Sequence, residues 1–293
     1  MSKGTVALRK LKALEEGSLT DTIFLVGEND ETAQEIRAFR VDLIVSSEFF
    51  EKLLDSPLTQ QTSDRKIRLK NIEPEIFKIV IEFIHMCGHL IVSKVDNLET
   101  CLKVASAAEE YMIEDLAELC SKLLEDKFLK VDNVWAMLHK YHLVNAIASP
   151  CLKLLSLKTE DCLRHKSFLK ISAEGLKLFL TLDEMAISSE SELLRACVKY
   201  TGNFADQRST FRDICLPGLR LFADDIKMDL VQEIIHLLTN DELTCLAAFK
   251  HPLRRNWCPK IVPTLSALTK SRARVTLEDY DSYCASYYPT PYY

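Results

Sequence analysis

At 293 residues, with 47% apolar and 27% charged side chains, the chain is long enough for about two folded domains. Its net charge of −6 gives no overall attraction to phosphate backbones, so nucleic acid is not an expected partner. The seven glycines are never closer than ten positions (Gly17 and Gly27), which excludes dinucleotide fingerprints, phosphate loops and nucleophile elbows, each of which needs two glycines within a few residues.

In chain order, residues 1–18 read as an N-terminal arm. "TIFLV" (22–26) and a run near Glu35–Phe39, separated by a polar, turn-like stretch, predict a β-hairpin. Ser46 and Ser47 precede "EFFEKLL", the pattern of an N-cap and helix start. On that helix Phe50 and Leu53 are expected to face inward, with Glu51, Lys52 and Asp55 outward. "RKIRLKNI" alternates apolar and basic residues as a half-buried strand does. Pro74 opens "PEIFKIVIEFIHM", which has helical apolar spacing and proline at an early helix position. Between Leu98 and Leu124 the apolar stripe is long enough to require a break, placed near Tyr111–Ile113.

From Asp126 to Phe249 the strand signals fade. Short helices separated by cap-like residues are expected, with "LPGLRLF" (216–222) as an extended connector. Leu138, Leu143, Leu154 and Leu155 are expected inside the first helices. Residues 250–274 hold seven Lys/Arg and no acid, and the last fourteen residues hold six of the nine tyrosines. This 250–293 tail, with its several prolines, is expected to be weakly ordered.

Five blocks in order carry a family resemblance: "LTDTIFLVG", "IRAFRVDLIVSSEFFEKLL", "IRLKNIEPEIFKIVIEFIH", "NLETCLKVASAAEEYMIEDLAELCSKLL" and "LDEMAISSESELLRACVKY". Together they resemble a BTB/POZ domain followed by a BACK domain, over roughly residues 19–249. The fourth block matches the family's leucine, alanine, tyrosine, leucine and cysteine at Leu102, Ala105, Tyr111, Leu116 and Cys120. With "LPGLRLF" the chain most resembles the cytoplasmic BTB-domain-containing subgroup. The 44 residues after Phe249 are too few for the β-sandwich or propeller that relatives carry, so the substrate-binding module is expected to be missing. The resemblance implies an α+β BTB/POZ fold (residues 19–125), a small mixed sheet flanked by helices. An all-α BACK domain (126–249) follows. Phe39 stands where the family often has histidine.

The resemblance also implies function: a non-enzymatic homodimeric adaptor, without cofactor, that links an unknown substrate protein to a cullin-3 ubiquitin ligase. The alternative is a transcription-related or cytoskeletal scaffold without cullin binding. The implied cullin-docking residues are Phe50, Leu53, Leu58, Thr59 and Gln60. Relatives have a glutamate where this chain has Gln60, so cullin-3 binding is expected to be weakened, because charge-assisted hydrogen bonds are roughly twice as strong as neutral ones. Asp21 and Arg40 fall at the charged pocket near the family's dimer interface.

Other candidates weigh less. His85, Cys87 and His89 in "HMCGH" offer zinc-type ligands but no evident fourth. His139 and His142 share a helix face without an acidic or thiolate partner nearby, so no metal site is expected. No local signature supports catalysis. The ten cysteines contain no pair three positions apart, no apolar run exceeds five residues, and the start lacks an apolar h-region. An intracellular protein with reduced thiols and no membrane span is therefore expected, cytoplasmic and with the nucleus also open to it.

Overall fold

The computed structural model describes residues 6–29, 31–56, 66–86, 93–226, 228–250, 263–266 and 270–275. The chain divides into two compact units. One comprises residues 1–128 with 143–150, the other residues 129–142 with 151–293.

The first unit is built on a three-stranded mixed sheet in the order β2-β1-β3. β1 (Thr22–Val26) pairs antiparallel with β2 (Gln34–Ala38) and parallel with β3 (Lys66–Leu69). Phe24 and Val26 are fully buried, as strand alternation requires. Gly27 ends β1 at φ 138°, where a Cβ would lie 3.0 Å from the Ala33 backbone. Only glycine fits that close approach. The hairpin, the mixed sheet and the strand over 66–69 match the sequence reading.

Helices cover this sheet. They are α1 (Val6–Glu15), α2 (Arg40–Ser46), α3 (Glu48–Asp55), α4 (Pro74–Met86), α5 (Leu98–Glu110) and α6 (Glu114–Leu123). Phe24, Phe50, Phe77 and Tyr111 form the core, with the Phe24 and Phe77 rings 5.0 Å apart and Phe50 and Tyr111 5.4 Å apart. Such edge and tilted contacts suit the ring quadrupoles. The break placed near Tyr111–Ile113 is where α5 ends and α6 begins. On α3 the inward pair is Phe50 and Leu54, at 0% and 2% exposure, while Leu53 is only half-buried. The expected inward Leu53 is thus corrected by one position, since i and i+4 share a helix face.

The second unit is helical, as the resemblance implied. α7 (Val134–Tyr141) is followed by α8 (Asn145–Leu157), whose residues 145–150 belong to the first unit, and then by α9 (Thr159–Arg164), α10 (Ala173–Leu180), α11 (Glu190–Thr201), α12 (Gln207–Thr210), α13 (Met228–Glu233) and α14 (Asn240–Lys250). Trp135 anchors this core, fully buried against Phe168 and Phe179. Its indole N–H donates to the Cys162 carbonyl at 2.8 Å, which removes the cost of burying a lone donor. Thr239 and Glu242 form a capping box at the start of α14. Each backbone N–H donates to the other's side chain, at 2.7 and 3.3 Å.

Three expectations change here. Leu138 and Leu155 are fully buried and Leu154 is half-buried, but Leu143 is 86% exposed. It lies in the turn before α8, where no helix face carries it inward. "LPGLRLF" is no extended connector. It starts as a 3-10 turn, Leu216–Gly218, and buries Leu216, Leu219, Leu221 and Phe222. The tail expected to be weakly ordered contributes a strand, β5 (Ala273–Arg274), parallel to β4 (Glu184–Met185). Among the described residues no helix is long and apolar enough to cross a membrane.

Candidate docking site

In the first unit two turns lie side by side, and the sequence dictates why. Ser47 caps α3, its hydroxyl oxygen accepting from the Phe50 N–H at 3.2 Å. The same hydroxyl donates to the Tyr111 carbonyl at 2.5 Å. One side chain therefore satisfies an orphan donor of α3 and an orphan carbonyl of α5, and holds the α2–α3 turn against the α5–α6 turn. A groove lies over the junction, lined by Ile44, Val45, Glu48, Glu51, Met112 and Glu114.

Met112 is the unusual member. After α5 the chain makes a Schellman turn: the Ile113 N–H donates to the Ala108 carbonyl at 2.8 Å and the Met112 N–H to the Glu109 carbonyl at 3.1 Å. This turn places its C′ residue in the left-handed region, where glycine is ordinary. Met112 occupies it at φ 53° and keeps its side chain 54% exposed. Val45 nearby is 81% exposed, while Val41, one turn before it on α2 and 64% exposed, lies outside the groove lining. Glu48, Glu51, Glu114 and Asp115 are all exposed around them. The surface is apolar at its centre and acidic at its rim, which suits a partner that is apolar with basic flanks.

The expected site residues fall unevenly on this face. Phe50 is 0% exposed, so it presents no surface to a partner, and its docking role is corrected to core packing. Leu53 is half-buried on α3. Leu58, Thr59 and Gln60 lie outside the described residues. Sequence reasoning missed Val45 and Met112. The exposed Val41/Val45 spacing on α2 was readable as an apolar i, i+4 pair, whereas nothing local marks a methionine as left-handed.

Asp21 and Arg40 meet, but not as an ion pair. The exposed Asp21 carboxylate accepts from the Arg40 backbone N–H at 2.6 Å. It serves the first turn of α2, whose own N-cap, Phe39, has no capping side chain. The Arg40 guanidinium turns instead to Asp55 at 2.6 Å and to the Leu54 carbonyl at 3.3 Å. That closes the C-terminal end of α3 immediately before the 58–60 segment.

His85 is fully buried on α4. Its Nδ1 lies 2.8 Å from Asp42 Oδ2, which also accepts from Lys10 Nζ at 2.7 Å. The Phe39 N–H donates to His85 Nε2 at 3.4 Å, and the Phe39 ring meets the imidazole edge to face at 5.1 Å. Phe39 thus packs where the family often has histidine. Burial pulls the His85 pKa below its ordinary value, outweighing the pull of Asp42 in the other direction. Burial alone would raise the Asp42 carboxyl, but the hydrogen bonds from Lys10 and His85 and their charges outweigh it and hold it low. Cys87 and His89 lie outside the described residues, and among those described no cluster of His, Cys, Asp and Glu could hold a metal ion.

Comparison with known proteins fits this geometry. A family profile described as "BTB/POZ domain" matches residues 11–128, and one described as "BTB And C-terminal Kelch" matches residues 134–223. Over 205 residues the chain is 32% identical to BTB/POZ domain-containing protein 9 of Drosophila melanogaster, covering 69% of this chain and 27% of that protein. Over 194 residues it is 28% identical to BTB/POZ domain-containing protein 19 of Homo sapiens, covering 66% and 62%. Over 193 residues it is 24% identical to Kelch-like protein 7 of Homo sapiens, covering 62% and 30%. The chain thus spans less than two thirds of the length of each of these relatives.

Proposed function

We propose that this chain, which carries a BTB/POZ domain followed by a BACK domain, is a non-enzymatic dimeric adaptor that joins a target protein to the cullin-3 ubiquitin ligase scaffold. Both domains belong to families of interaction modules. The observation that carries the docking role is Met112. A non-glycine residue in the left-handed region costs roughly 1–2 kcal/mol, and here that cost keeps an apolar side chain in solvent beside Val45. Leu53 on α3 is half-buried, and the family resemblance assigns the docking role to it together with Leu58, Thr59 and Gln60, which follow α3 in the sequence. For the dimer, Val41 on α2 and Leu19, 89% exposed at φ 65°, offer apolar surface to a second copy, near Asp21 and Arg40.

Gln60 favours a second reading. Without the glutamate charge the cullin contact is weaker, and a BTB scaffold that assembles proteins without cullin is the other outcome.

The substitution Met112→Gly separates folding from docking. Glycine relieves the backbone, so thermal stability should stay level or rise. Binding of the full chain to the cullin-3 amino-terminal domain should weaken roughly tenfold, as loss of an apolar contact near the centre of an interface does. Unchanged affinity would remove the α5–α6 turn from the docking face.

A further inference from the structure

In the second unit, the segment Lys270–Val275 lies on the surface like a bound peptide. Lys270, Ser271, Ala273 and Arg274 are exposed, while the Arg272 side chain is 1% exposed. One residue enters and its neighbours stay outside. The Arg272 guanidinium sits between the C-terminal end of α10 and the N-terminal end of α11. Its Nη2 donates to the carbonyls of Leu180 and Gly218, both at 2.7 Å, and its Nε to the Leu182 carbonyl at 2.7 Å. Its Nη1 donates to Glu190 Oε2 at 2.5 Å, and the Arg272 backbone N–H donates to Glu190 Oε1 at 3.0 Å.

Helix ends explain the choice of residues. The free carbonyls closing α10 favour a cation, and Glu190 in the first turn of α11 sits at the favourable end for an anion. Glu190 is itself 1% exposed, and its backbone N–H donates to Asp225 Oδ2 at 3.0 Å. The planar fork of arginine reaches three carbonyls and a carboxylate at once, which a lysine ammonium cannot do in this geometry. Around the anchor the backbone adds a strand. Ala273 donates its N–H to the Asp183 carbonyl at 2.9 Å, and β5 runs parallel to β4. Ser271 donates to Asp225 Oδ1 at 2.7 Å. A buried anchor with strand addition at its flanks is a recurring mode of peptide recognition.

We infer that the BACK unit carries a socket for extended peptides of the form Ser-Arg-x-Arg, and that the chain's own tail occupies it as a displaceable ligand in cis. The ligand class is an extended segment of another protein whose first arginine enters the socket, while the second stays at the surface and donates to the Ser188 carbonyl, as Arg274 does here. The tail holds the socket through its high effective concentration, and a competing segment displaces it. The inference does not depend on cullin binding.

The test uses the full chain with a site-specific protease site placed between residues 266 and 270, cut after folding. A labelled peptide covering residues 266–277 is then titrated, with anisotropy as the readout. Saturable binding and exchange with the cut tail are expected. A peptide with Arg272→Lys should bind at least about tenfold weaker, because the fork is lost. A Ser271→Asp peptide should also bind more weakly, because its carboxylate meets Asp225. Arg274→Ala should change affinity less than Arg272→Lys, because Arg274 stays exposed. The inference is overturned if the cut tail never exchanges, if cutting abolishes the thermal transition of the unit, or if the Arg272→Lys peptide binds equally. The first two results would make the segment an integral strand, and the third would mean that the socket does not read arginine. Because the substitutions sit on the peptide, none of these results turns on misfolding of the protein.

Discussion

His85 shows how one buried side chain couples the first unit to pH. The contacts from Asp42 and Phe39 are both satisfied by a neutral ring whose Nδ1–H donates to Asp42 and whose Nε2 accepts from Phe39. A second proton on Nε2 would face the Phe39 N–H. As pH falls, the unfolded chain, with an ordinary histidine near pH 6.5, takes up the proton first. The contribution is therefore complete above about pH 6.5 and is lost as pH drops towards the lower folded value. The low Asp42 carboxyl contributes above its ordinary range and is lost only below about pH 4. Urea midpoints measured at pH 7.5, 6.5 and 5.5 should fall, and His85→Gln should flatten that fall. Equal slopes in the two proteins would assign the pH dependence elsewhere. At this scale the sequence was legible where a residue has one strong preference. Ser47 reads as a cap, and it caps α3. It was not legible where partners are distant: Arg40 chooses Asp55 over Asp21, and Arg272 finds Glu190 across 82 positions, which no local pattern encodes.

Helix α8 carries a proline in its interior, and its repair is visible. Pro150 has no N–H to give the Ala146 carbonyl. That carbonyl instead accepts from the Ser121 hydroxyl at 2.7 Å. The Ala146 N–H, another orphan of the first turn, donates to Glu109 Oε1 at 2.6 Å. Ser121→Ala should therefore cost about 1 kcal/mol of stability. In a Pro150→Ala background the new alanine N–H supplies the carbonyl, and the cost of Ser121→Ala should shrink. Equal costs in the two backgrounds would show that Ser121 acts independently of the proline. Elements were the most legible level. The hairpin, α4 and the break after α5 followed from periodicity and capping, because these signals are local. β4 and β5 are two residues each, too short for periodicity to register, and pair Glu184 with the distant Ala273.

The whole molecule is proposed to work as a pair. Native mass spectrometry should give about twice 33.5 kDa, and Val41→Asp should halve it by placing a charge on the apolar face of α2. A monomeric wild type would move the dimer surface elsewhere. The domain order was readable from five sequence blocks, because the pattern of buried positions recurs across the family. The partner was readable only as what that resemblance implies, since affinity resides in a few exposed residues that folding does not constrain. The cullin contact is therefore the point to measure. Isothermal titration of the full chain with the cullin-3 amino-terminal domain should show wild-type binding, tighter binding for Gln60→Glu, and none for Leu58→Asp at unchanged dimer mass. If wild type and Leu58→Asp bind equally, or neither binds, the cullin adaptor reading is contradicted.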